Sequence, residues 1–150
     1  MKKCLSLLVA FFMVLSLSVP AMASNSVEIE TIDPSMVKPL ELTLVSQNIT
    51  PRGRVDVYSF YIPNSGYYYE VPEFRGEYTA GTHITVEGTW SPTYERLNVM
   101  FEDMNTGASV NGNIDCNEER TFGLWNDSEW GCFLKANNKN ISGTLSIEVS

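Results

Sequence analysis

With 150 residues, 18 acidic against 10 basic side chains and a net charge of −8, the chain repels polyanions, which excludes nucleic acid and anionic lipid as partners. One histidine and three cysteines leave little material for metal or nucleophile chemistry. The length suffices for one buried core and not two.

The chain opens Met1-Lys2-Lys3, runs apolar from Leu5 to Val19 and shows Pro20-Ala21-Met22-Ala23 before Ser24. A positive start, a short apolar run and Ala-x-Ala are the marks of a secretory signal peptide over residues 1–23, cut after Ala23. The run is too short to span a membrane, no second one follows, and Cys4 leaves with the signal. Removal takes Lys2 and Lys3 and no acid, so eight basic against 18 acidic residues remain, a net charge of −10. The expected destination is secreted and oxidising.

Residues 24–38 carry acids, a proline and little periodicity, and are expected to form a flexible arm or an edge strand. From residue 39 the domain begins. Leu40, Leu42 and Leu44 alternate with Glu41, Thr43 and Val45 up to Ser46-Gln47-Asn48, a first strand, and Thr50-Pro51-Arg52-Gly53 reads as a turn. Val55 to Ile62 is bulky on both faces, hence a central strand. Tyr67 to Val71 is another, closed by Pro72, and 74–81 reads as loop. His83 to Trp90 alternates, with Ile84, Val86 and Trp90 on one side and His83, Thr85, Glu87 and Thr89 on the other. Leu97, Val99 and Phe101 share a face in the next strand. A turn at Asp103 to Gly107 leads into a weak strand at 108–113, and 121–125 adds one more.

Residues 130–136 and 141–149 flank the turn cluster Asn137 to Asn140, so they are expected to pair as an antiparallel hairpin. Cys116 and Cys132, the two cysteines of the mature chain, are expected to form a disulfide; closing a loop of roughly 16 residues stabilises a fold by about 3 kcal/mol. No 3.6-residue apolar period persists. Eight or nine short strands separated by Gly, Pro and Asn signals describe an all-β fold, an antiparallel sandwich of jelly-roll type over residues 39–150.

The order Asp56-x-Tyr58-x-Phe60, a Gly-bearing turn, Ile84-Thr85-Val86, Leu97-x-Val99-x-Phe101-x-Asp103 and a late strand from Gly131 to Asn137 resembles the small secreted sandwiches typified by bacterial pre-peptidase C-terminal domains. Over residues 40–149 the resemblance implies a jelly-roll sandwich serving as an accessory or binding module without catalysis of its own. The chain departs from that pattern in carrying no peptidase domain and in placing Gly131-Cys132-Phe133 where the family has Gly-x-Tyr.

For chemistry, His83 falls on a polar face with no nucleophile motif around it, so no catalytic residue is assigned. A small glycan- or peptide-directed hydrolase, the alternative, would need two carboxylates across a cleft, and 18 acids offer many pairs without singling one out; Glu87 and Glu102 read as lying on neighbouring strands, but on their wet faces. Asn126-Asp127-Ser128-Glu129 and Asp103-x-Asn105-x-Gly107 offer hard oxygen ligands of the kind Ca²⁺ takes, although neither is a twelve-residue calcium loop; no other cofactor is expected. The aromatic residues point to binding. Tyr67, Tyr69, Trp90, Trp125 and Trp130, with Asn126, Asp127 and Glu129 beside the last two, would form a platform on which sugar rings stack while their hydroxyls meet carboxylates and amides. The expected function is a secreted, non-enzymatic module for a protein or an extracellular or cell-wall glycan.

Overall fold

A computed structural model describes residues 31–50 and 53–150. The expected signal peptide, the start of the expected arm and Pro51-Arg52 lie outside the described residues.

Alternation does what the sequence suggests: it builds two sheets whose apolar faces meet. One sheet holds β2 (Leu42–Thr50), β3 (Gly53–Ile62), β6 (His83–Ser91), β9 (Glu119–Gly123) and β11 (Ile141–Val149), in the order β2-β3-β11-β6-β9. The other is ordered β1-β4-β10-β7-β8, from β1 (Val37–Pro39), β4 (Tyr68–Glu70), β10 (Ser128–Ala136), β7 (Leu97–Asp103) and β8 (Ser109–Ile114), with β5 (Gly76–Tyr78) also paired to β10. Every pairing is antiparallel except β1 with β4. Ile84, Val86, Leu97, Val99, Phe101, Trp130, Leu134, Leu145 and Ile147 fill the space between the layers.

Eleven strands stand among the described residues. Nine match the expected segments. The other two are β1, within the expected arm, and β5, within the expected loop; both are three residues long. Of the two readings of this segment the edge strand holds at its end: Asp33 caps a 3-10 turn over Pro34–Met36, and Val37, Lys38 and Pro39 pair with Tyr68, Tyr69 and Glu70 at the outer edge of the sheet.

Two larger expectations are corrected. Strands β10 and β11 do not form a hairpin. Residues 137–140 carry the chain from one sheet to the other, where β11 lies between β3 and β6 while β10 lies between β4 and β7. The reason is burial: Trp130 to Leu134 are buried without interruption, as in a central strand covered on both sides, and a two-strand ribbon has no second layer to cover them. The Asn-rich stretch is held as a crossover by Glu95, a buried acid whose Oε1 accepts from Asn138 N at 2.6 Å.

Cys116 and Cys132 are likewise unpaired. Cys132 sits in the core, in register with Phe101 of β7 and through it with Val110 of β8. Ile114 is already four residues, roughly 13 Å, along β8 from that point, and Cys116 lies beyond it with Sγ 3.2 Å from Trp90 N. A disulfide needs Cα atoms within about 7 Å. Packing between the sheets holds the fold without that cross-link.

Candidate functional site

Strand directions bring the segments 79–82, 103–108 and 124–127 to one end of the sandwich, and hydrogen bonds tie them together. Gly81 N donates to Leu124 O at 2.7 Å, Ala80 N to Asp127 Oδ1 at 2.7 Å, and Asn126 Nδ2 to Asp103 Oδ2 at 3.3 Å. Asp103 is the hub. It is buried, and its Oδ1 also accepts from Ser128 Oγ at 2.6 Å and from the backbone N–H groups of Asn105 and Thr106 at 2.9 and 3.3 Å. Burial on its own would raise the Asp103 pKa; these donors outweigh it and hold the carboxyl at about 2. The two oxygen-rich turns read from the sequence as Ca²⁺ candidates thus meet, but Asp103 spends both oxygens on protein donors. No group of three or more acidic, His or Cys side chains suited to a metal ion occurs among the described residues.

Trp125 rises from this end. Its ring is 41% exposed and meets the fully buried Trp130 edge to face, centroids 5.0 Å apart and planes at 85°. Trp130 in turn donates Nε1 to Asn126 O at 3.3 Å. One rigid aromatic face is presented on a turn whose polar side chains are committed to holding it.

The other platform candidates lie elsewhere. Tyr69 and Trp90 are core residues, the first bonded through its hydroxyl to Ser65 Oγ at 2.8 Å and the second donating Nε1 to Glu95 O at 2.8 Å. Tyr67 is half-buried with Lys38 Nζ 3.8 Å from its ring centre. Glu129 is turned to Arg75, whose Nε donates to it at 2.8 Å while Nη1 reaches Glu70 at 3.2 Å. The structure therefore gathers Trp125, Trp130, Asn126 and Asp127, leaves Glu129 in an adjacent ion pair, and sets Tyr67, Tyr69 and Trp90 apart. Consecutive aromatic residues in a strand face opposite ways, and the inward ones are spent on the core. Glu87 and Glu102, read as lying on neighbouring strands, fall in different sheets and flank no common cleft.

Two concavities lie among the described residues near these elements. A cavity of about 420 Å³ opens between the sheets toward the Trp125 end, lined by Asp56, Tyr58, Glu73, Phe74, Tyr78, Ile147 and Val149. Its Asp56 carboxylate accepts from Gln47 Nε2 at 2.9 Å, and Tyr58 packs edge-on against Phe74. Burial raises the Tyr78 pKa, so its phenol enters any contact neutral. A second cleft, about 320 Å³, lies on the outer face beside β1 and is lined by Ile32, Val37, Met104 and Phe133 with Glu70, Arg75 and Glu102. The mixed apolar and acidic lining of the first cavity was not legible beforehand, because its residues come from four separated segments; only the Asp-x-Tyr of β3 hinted at it.

No known protein family matches the sequence, and no characterised protein does at a significant level. Among solved structures, the chain is similar to a cupin domain from Bordetella pertussis (14% identity, 75% of this chain and 94% of that one, TM-score 0.39). It is also similar to a periplasmic inhibitor of g-type lysozyme from Aeromonas hydrophila (12%, 76% and 96%, 0.40) and to the mitogen of Yersinia pseudotuberculosis (11%, 65% and 86%, 0.44). Likeness at this level carries no statement about what the chain binds.

Proposed function

We propose that this chain is a secreted, non-enzymatic binding module whose Trp125 end docks on an extracellular or cell-wall glycan. The observation that carries the reading is the half-exposed indole of Trp125, held edge to face against the buried Trp130. A sugar ring needs a flat apolar face on which to stack, and the exposed side of the Trp125 indole offers one. Because Trp130 and the Asp103 network hold the indole in place, docking costs little ordering entropy. The resemblance to pre-peptidase C-terminal domains and the leader-like N-terminus favour the same role and location.

The test is a glycan array probed with the wild type and Trp125→Ala. Loss of a rigid aromatic anchor is expected to weaken binding by about 30-fold or more. Equal binding by the variant moves the site elsewhere, and a blank array with the wild type points to a protein ligand.

A further inference from the structure

Glu102 and Asp103 are consecutive in β7, so they face opposite sides of their sheet, and their surroundings are opposite too. Asp103, turned inward, is held by donors from Asn105, Thr106, Asn126 and Ser128. Glu102, half-buried on the outer face, accepts from Ile32 N at the long distance of 3.4 Å, and none of the ion pairs among the described residues includes it. Burial pushes its pKa up, as expected of a carboxylate short of partners. The space beside it is made by Gly131. That residue lies directly across from Glu102 in β10, and a Cβ on it would stand 2.9 Å from Phe133 Cε2 and 3.0 Å from Met104 Sδ. Ring and thioether therefore close over bare backbone and, with Val37, give the cleft of about 320 Å³ an apolar floor. The base in its lining, Arg75, is already shared by two carboxylates, Glu70 at 3.2 Å and Glu129 at 2.8 Å.

We propose that this cleft binds a small organic amine, its ammonium on the Glu102 carboxylate and its apolar body against Val37, Met104 and Phe133. The occupant follows from charge and size. An anion would meet Glu102 and Glu70 with the one nearby guanidinium already neutralised, and a neutral ligand would leave Glu102 as short of a partner as before. An ammonium donates to it through a charge-assisted bond, in a half-buried place where such a bond is stronger than in open water. A net charge of −8 draws cations to the surface as a whole. At about 30 Å³ for each atom with its hydrogens, the 320 Å³ cleft takes a body of about ten non-hydrogen atoms. This is a site apart from the Trp125 end, and it stands whether or not a glycan binds there.

Phenethylamine, phenethyl alcohol and phenylacetate share one apolar body and differ in charge, so titrating each into isotope-labelled protein produced from Ser24 onward, followed by amide chemical shifts, decides the matter. The amine is expected to bind at least about tenfold more tightly than the alcohol, and the carboxylate more weakly than either. The shifted amides should fall in 32–37, 102–104 and 131–133. Glu102→Gln should bring the amine down to the affinity of the alcohol, while Glu87→Gln, which alters an exposed acid of the other sheet, keeps the preference. The spectrum of each variant shows whether it is folded, and the map of shifts in the wild type stands without them. Equal affinity for the three ligands, no binding of the amine, a preference that survives in Glu102→Gln, or shifts centred on other segments overturns the proposal. Butylamine binding as tightly as phenethylamine overturns it as well, in favour of a lysine side chain from a protein partner.

Discussion

Asp103 shows how one side chain fixes a surface. Its carboxylate gathers donors from the turn that follows it and from the turn carrying Trp125, so the indole is positioned by a charge buried beneath it. A carboxyl held at about 2, below its unfolded value, contributes stability that is present above roughly pH 4 and is lost as pH falls through the folded value. That contribution is at most about 2 kcal/mol. Asp103→Asn should lower stability at neutral pH by about 1–3 kcal/mol and flatten the acid limb of the unfolding curve below pH 4. Denaturant titrations at pH 7 and pH 3 check this, and a variant as stable as the wild type at both would refute the role. The cysteines give a second prediction at this scale. Protein produced from Ser24 onward should titrate as two free thiols, with half-buried Cys116 reacting in the native state and Cys132, whose pKa burial pushes up, reacting only on unfolding.

Between elements, the decisive contact is the close approach of β11 to β6. A Cβ on Gly143 would lie 2.0 Å from Thr89 O and 2.6 Å from Trp90 Cα, both backbone, so Gly143→Ala must push these strands away from each other. It should destabilise by about 1–3 kcal/mol or more, read from its urea midpoint; a neutral Gly143→Ala would mean that β11 does not lie against β6. This pairing is also where sequence reading reached its limit. Alternation at 83–90, 97–102 and 141–149 placed strands and their inner faces correctly, because burial imposes a period of two on each strand separately. Which strand lies beside which is set by residues far apart in the chain. Asn137 to Asn140 has the chemistry of a hairpin and serves as a crossover, since the core demanded by Trp130 to Leu134 outweighs a local turn preference. The platform failed for a related reason: aromatic type says a ring is large and apolar, and only the packed sheets decide that Trp90 and Trp130 go in while Trp125 stays out.

The molecule as a whole is a two-sheet scaffold of net negative charge with a loop cluster at one end that presents Trp125. The scaffold depends on packing alone, with no cross-link between Cys116 and Cys132. No helix among the described residues is long and apolar enough to cross a membrane. The central claim is that of three tryptophans a single one faces solvent and takes the ligand. Acrylamide quenching of tryptophan emission tests it most directly, measured on wild type and Trp125→Phe, alone and with the strongest-binding glycan from the array. The account predicts one quenchable tryptophan population, absent from Trp125→Phe and shielded when the glycan is bound. Quenching that survives in Trp125→Phe, or that the bound glycan leaves unchanged, would contradict it.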